Sequence, residues 1–223
     1  MVSVDARQQE INTRNAEMII ITGNTRSGSS MIAGMIFQMD VFLGAWFHKR
    51  NKGNPQGYFE DIVPLKYNLD RYAGIITRED WQKNMISFVE RRQKKYGKAW
   101  GFKDPNLTYY LDDFIQMYPE AKIIIVNRKK EDVMKSIKKW MPFIKDQEQF
   151  YQEKQDIINN FKKPCLYINH ENVLKNPEKA VNELIKYCGL KPTLLQRKKA
   201  EHFVLIDFPP GEILYESSKL FYP

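Results

Sequence analysis

The sequence predicts an α/β protein, a single domain built on a P-loop-like, doubly wound and mostly parallel sheet flanked by helices. Three observations carry that prediction. Short apolar runs alternate with longer amphipathic stretches, the pattern of a parallel sheet wrapped by helices. The apolar runs are continuous rather than alternating, as in Ile123-Ile124-Ile125-Val126, which suits strands buried on both faces. The first run leads through a loop of small and polar residues into a nearly all-apolar stretch of helical length, MIIITGNTRSGSSMIAGMIFQM from Met18 to Met39.

The first strand is expected at Met18–Thr22, followed by the loop and its helix, and a short strand is allowed at Val41–Leu43. Trp81, Met85, Phe88 and Val89 recur at the spacing of one helix face. Strands follow at Ala99–Phe102, Ala121–Val126 and Cys165–Ile168, and Val133, Ile137, Trp140 and Met141 mark a helix between the last two. The final helix carries Val181, Leu184, Ile185 and Cys188; Asn176 caps it, Pro177 opens its first turn and Gly189 closes it. This places a core at 18–190 between an N-terminal extension (1–17) and a C-terminal arm (191–223) of one domain spanning 1–223. The arm ends in FPPGEILYESSKLFYP, whose prolines and glycine favour irregular packing over a helix.

A length of 223 residues permits a full core, and 43% hydrophobic with 28% charged residues is ordinary for a soluble globular chain. The formal charge of +8 favours an anionic partner without naming it. Two cysteines, Cys165 and Cys188, and three scattered histidines, His48, His170 and His202, lack metal or redox spacing, so no metal is expected. No apolar run nears the roughly 18 residues of a membrane span, and the polar N-terminus lacks the apolar core of a signal peptide. A cytoplasmic location is the expectation.

Gly23 and Gly28 have the spacing of a loop that cradles phosphate on backbone N–H groups and a helix N-terminus. The nucleotide-hydrolase form of that loop continues Gly-Lys-Ser/Thr. Here it continues Gly28-Ser29-Ser30, which suits a phosphate but not ATP chemistry. A second anion site follows the third strand. Arg128 stands at a strand's C-terminal edge, where open α/β sheets bind ligands, and Ser136 lies eight residues on in the following helix. An arginine fork with a hydroxyl is a sensible clamp for a second phosphate; for the neighbouring lysines the alternative is a solvated basic face.

In these motifs the chain resembles the sulfotransferases that use 3′-phosphoadenosine 5′-phosphosulfate (PAPS). Their 5′-phosphosulfate loop reads Lys/Arg-Ser-Gly-Ser/Thr-Ser/Thr, here Arg26-Ser27-Gly28-Ser29-Ser30 after Thr25. Their 3′-phosphate site pairs an arginine with a serine eight positions later, here Arg128 and Ser136. Lys103-Asp104-Pro105 resembles a segment of the tyrosylprotein and many bacterial branches, and Leu166 to Leu190 looks like the family's closing strand–loop–helix.

The resemblance implies in-line transfer of a sulfuryl group from PAPS to a hydroxyl acceptor, leaving adenosine 3′,5′-bisphosphate (PAP), with catalysis by positioning and charge stabilisation. It implies donor binding by Thr25, Arg26, Ser27, Gly28, Ser29, Ser30, Arg128 and Ser136. Arg26 would stabilise charge on the departing phosphate oxygen, with Lys103 a second cation. Otherwise Lys103 is a surface partner of Asp104. The base that takes the hydroxyl proton is Glu60 or His48. Asn54 to Glu60, NPQGYFE, resembles the bacterial, glutamate-using form, whereas the cytosolic branch uses histidine. That branch's tryptophan after the loop is Met31 here, so adenine recognition has no assigned residue.

The acceptor, a small-molecule, carbohydrate, lipid or peptide hydroxyl, would meet residues 45–72 and 140–161, the least patterned stretches. Phe47, Tyr58, Phe59, Tyr67 and Tyr72 form an aromatic wall there or join the core. Two other readings stay open on sequence. One is a P-loop nucleotide kinase, which the missing lysine weakens. The other is a non-catalytic protein: a nucleic-acid-binding module using Glu90–Lys98 and Arg128–Lys139, although Trp100 and Trp140 fit core positions better, or a sulfotransferase-like fold that binds nucleotide without turnover. No specific nucleic acid is expected.

Overall fold

The computed structural model describes residues 17–49, 51–96 and 99–204. The extension before Glu17 and the Pro-rich tail lie outside them. Four parallel strands, β1 (Met18–Gly23), β2 (Trp100–Lys103), β3 (Lys122–Asn127) and β4 (Leu166–Asn169), make one sheet in the order β2-β1-β3-β4. Each begins and ends within one residue of its expected place.

Alternate residues of a strand face opposite sides. Ile19, Ile21, Ile124 and Val126 therefore enter one apolar layer, and Met18, Ile20, Ile123 and Ile125 the other. A fully buried isoleucine contributes roughly 1.5–3 kcal/mol, so strands apolar on both sides require helices on both. In chain order these are α1 (Ser29–Gln38), α2 (Ile62–Tyr72), α3 (Arg78–Lys95), α4 (Leu111–Met117), α5 (Lys130–Trp140), α6 (Gln147–Asn160), α7 (His170–Lys175), α8 (Pro177–Cys188) and α9 (Leu194–Phe203). Helices α1, α8 and α9 cover the first face through Ile32, Met35, Val181, Leu184 and Phe203. Helices α3, α4 and α6 cover the second through Trp81, Phe88, Phe114 and Ile158.

β1 pairs with β2 on one side and β3 on the other, so the chain's direction of travel across the sheet reverses there. The crevice beyond the C-terminal ends of β1 and β3 is the switch point where such sheets bind ligands. Gly23 and Asn127 end those strands, which brings the loop after β1 beside Arg128.

The structure departs from expectation in two places and adds a helix in a third. Val41–Leu43 is no strand; Phe42 alone bridges to Trp100, because the buried Asp61 carboxylate takes the Ala45 amide at 3.0 Å and draws the chain away. Trp140 is 37% exposed rather than core; it ends α5 and lies against Gly53. The arm also contains α9, opened by a Thr193–Gln196 capping box and packed through Phe203 against Gly34 of α1.

Candidate active site

From Gly23 the chain turns through Asn24-Thr25-Arg26-Ser27 into α1, closed by the Ser27 amide donating to the Asn24 carbonyl at 3.1 Å. Arg26 and Gly28 hold positive φ, 68° and 92°, on either side of Ser27, the kind of backbone from which anion nests are made. Gly28 is the N-cap of α1 and supplies no side-chain cap, so the helix presents its first N–H groups to the crevice. A Cβ at Gly28 would overlap the His170 imidazole at the start of α7. Only glycine passes there.

The two expected phosphate sites touch. Arg26 Nε donates to Ser136 Oγ at 2.9 Å and its Nη2 to the Gly53 carbonyl at 2.7 Å. Arg128 Nη1 donates to the Arg26 carbonyl at 3.4 Å. Burial lowers the Arg26 pKa, with the neighbouring Arg128 acting in the same direction. Three buried polar atoms here, Asn24 Oδ1, Ser27 Oγ and Arg128 Nε, have no partner among the described residues. Ser29 is buried at the start of α1.

A second cluster stands at the end of β2. Lys103 is 2% exposed; its ammonium binds Glu60 Oε1 at 2.5 Å and donates to Ser30 Oγ at 3.2 Å. Ser30 also accepts from Asn54 Nδ2 at 2.8 Å. The expected alternative, a surface Lys103–Asp104 pair, is thereby corrected. Neighbouring strand residues face opposite ways, and Asp104 turns inward to cap the 3₁₀ turn Pro105–Tyr110. It accepts from the Asn106 amide at 2.7 Å and from Asn68 Nδ2 at 2.8 Å. Burial, and next the charge of Glu60, pushes the Asp104 pKa up to about 6.

Glu60 reaches Lys103 because the preceding chain turns through Gly57 (φ 101°) and Phe59 (φ 54°). A non-glycine residue in that conformation costs on the order of 1–2 kcal/mol. Contacts of the Phe59 ring with Phe37, Phe47 and Phe203, at centroid distances of 5.7, 5.8 and 5.8 Å, offset it. Asp61 anchors the other side. It is fully buried, pairs with Arg92 of α3 and caps α2 through the Val63 amide.

His48 is not brought to this cluster. Its exposed ring meets Tyr58 edge-on at 4.8 Å, and only its backbone amide reaches Glu60, donating to the carbonyl at 2.8 Å. Nor do the five aromatics form one wall. Phe47 and Phe59 pack on one core layer, Tyr67 on the other, and the exposed Tyr72 lies against Tyr109 at 4.8 Å.

Sequence reasoning missed Lys154 of α6. It is fully buried and donates to Thr25 Oγ1 at 2.7 Å and Asn106 Oδ1 at 3.2 Å. The signal was present: Tyr151, Lys154 and Ile158 recur at helical spacing, with a lysine in the apolar stripe.

A family model described as the sulfotransferase family matches residues 18–193. The chain belongs to the sulfotransferase family. Solved structures of similar fold agree with that membership. A sulfotransferase from Mycobacterium tuberculosis superposes with a TM-score of 0.59 at 14% identity, covering 88% of this chain and 74% of the other. One from Mycobacterium avium gives 0.56 at 12%, covering 90% and 71%. The sulfotransferase domain of the curacin biosynthetic pathway gives 0.55 at 11%, covering 81% and 76%. No curated protein matches the chain by direct sequence comparison. No helix among the described residues is long and apolar enough to cross a membrane.

Proposed function

We propose that this family member transfers a sulfuryl group from PAPS to a hydroxyl acceptor, with the crevice at β1 and β3 as donor site and the Lys103–Glu60 pair as the reacting end. The buried 2.5 Å contact of Lys103 with Glu60, tied by Ser30 to the first turn of α1, is the observation that supports this most. It puts a cation, a carboxylate and a helix N-terminus into one cluster.

The residues present fit the donor. The 5′ end suits the Thr25–Ser30 loop, whose uncapped helix start and buried Ser27 hydroxyl offer donors to an anion. The 3′-phosphate suits Arg128 and Ser136, since the unpartnered Arg128 Nε supplies a buried charged donor. When bound, the donor supplies an activated sulfuryl group, whose loss leaves negative charge on a phosphate oxygen. Lys103 and Arg26 are the fixed cations for that charge, more valuable in the transition state than in the ground state. Arg26 is tethered to Ser136 and Gly53, so it gives up a hydrogen bond to serve there. Glu60, held at Oε1 by Lys103, has Oε2 to accept the acceptor's hydroxyl proton. The free cysteines Cys165 and Cys188 suit a reducing, cytoplasmic setting.

A thermal-shift titration with PAP against ATP–Mg²⁺ tests the donor site. Saturation at ~100 times the dissociation constant adds about 2.7 kcal/mol, several degrees for a chain of this size. Selective protection by PAP, lost in Arg128→Ala, is the expected result; no shift, or a larger one with ATP–Mg²⁺, would overturn the reading. Labelled PAPS with a panel of hydroxyl compounds then identifies the acceptor class.

A further inference from the structure

Lys154 has a setting that packing alone does not require. It is fully buried, which lysine rarely is without a counter-charge, and no described carboxylate stands within ion-pair distance of it. Its ammonium ends on Thr25 Oγ1 and Asn106 Oδ1, between the Tyr109 and Phe150 rings at 5.0 and 5.1 Å. Three residues earlier on α6, the Tyr151 carbonyl accepts from Asn24 Nδ2 at 2.9 Å. Two consecutive loop residues are therefore fastened to one face of α6. The charged groups around Lys154 are Asp104 and Lys103 from β2 and its turn, Glu60 from the acceptor segment and Glu153 from its own helix. Burial pushes its pKa down to about 8, against the pull of Asp104 and Glu60. A buried cation with no direct counter-ion among the described residues, bonded to a phosphate-type loop that lacks a lysine of its own, is arranged for an arriving anion.

We propose that Lys154 is a cation of the donor cradle, delivered to the loop by α6 through Thr25, and that it tightens binding of the donor's 5′ end. It is a positioning residue, acting through Thr25. The inference rests on the reading of the loop as the PAPS cradle.

The test is calorimetric titration with PAP at about pH 8.5, in two buffers of different ionisation enthalpy. An anion at the loop favours the charged amine, while the phosphates of PAP are already ionised at that pH. Wild type therefore takes up protons on binding. Lys154→Met loses that uptake and binds PAP about tenfold or more weakly, a change of about 1.4 kcal/mol, whereas adenosine 3′-monophosphate, with no 5′ group, is affected less than about twofold. Wild-type binding without proton uptake, an unchanged affinity in Lys154→Met, or an equal loss for both ligands overturns the proposal. The proton count needs no variant, so it stands even if Lys154→Met does not fold. Failure of wild type to bind PAP at all would instead overturn the donor reading, a distinguishable result.

Discussion

The two halves of the crevice, proposed above to take the donor and the acceptor, are held by different means. Backbone shapes the 5′ end of the donor half, through two strand ends, a turn with left-handed Arg26 and Gly28, and the first turn of α1, while the side chains of Arg128 and Ser136 are added beside it. Side-chain pairs shape the acceptor half, where Glu60 is placed by Lys103, by the Asp61–Arg92 ion pair and by an aromatic cluster around Phe59. A backbone-built site is tied to one ligand chemistry, because every sequence that folds this way presents the same N–H groups. A site built from side chains is retuned by substitution while the sheet stays intact. The variable end of such an enzyme is therefore expected at residues 45–72, away from the loop.

The largest effect expected from a single substitution on the acceptor side is that of Glu60→Gln. Loss of a positioned base costs ~10²–10⁴ in kcat, while PAP affinity, assigned by the proposal to the other half, should stay within about twofold. Single-turnover rates with labelled PAPS beside PAP titrations separate the two. A loss of PAP affinity as large as the loss of rate would show that the halves are not independent. The converse is the Arg128→Ala variant, which is expected to remove protection by PAP.

The same division explains what the sequence discloses. Strands β1 to β4 and the Thr25–Ser30 loop were legible because each is a contiguous pattern: a buried strand needs a run of apolar residues, and a tight anion loop needs glycine. Arg128 was legible because it directly follows such a strand. Glu60 could be named through the resemblance of NPQGYFE, but its partner could not. Lys103 lies 43 positions away, and only the sheet brings them together. Lys154 meets Thr25 across 129 positions, and Arg92 disappears into the basic stretch Glu90–Lys98, which reads as a candidate nucleic-acid contact rather than as the partner of a buried carboxylate. The Thr193–Gln196 capping box was a local signal for α9 that a reading confined to the Pro-rich tail from Phe208 onward passes over.

A smaller effect is expected at Asp104, which lies where the halves join. Its pKa is raised to about 6, chiefly by burial, so the folded state holds this proton more tightly than the unfolded chain does. Its contribution favours folding in acid and weakens as the pH rises from about 4 to about 6; the cost of the buried charge is fully present above that, on the order of 2–3 kcal/mol. Asp113 and Glu171, whose pKa values are lowered, push the opposite way. The readout is therefore the difference in melting temperature between Asp104→Asn and wild type. That difference should shift in the variant's favour by several degrees between pH 4.5 and pH 7. A pH-independent difference would mean that Asp104 is ionised throughout and that its hydrogen bonds with Asn68 and Asn106 fully offset its burial.

The smallest effect is expected at His48, and it bears most directly on which residue serves as base. The histidine belongs to the acceptor segment in sequence, yet its ring lies outside, against the edge of Tyr58. The contact that matters there is the His48 amide donating to the Glu60 carbonyl, which any residue other than proline can make. His48→Ala should therefore keep kcat within about twofold, since an exposed edge contact between rings is worth at most ~1 kcal/mol and fixes no reacting atom. His48→Pro, which removes the amide, should lower kcat through Glu60 while leaving PAP binding intact. A loss of a hundredfold or more in His48→Ala would move the base from the carboxylate to the imidazole and require the 45–60 segment to rearrange when the acceptor binds.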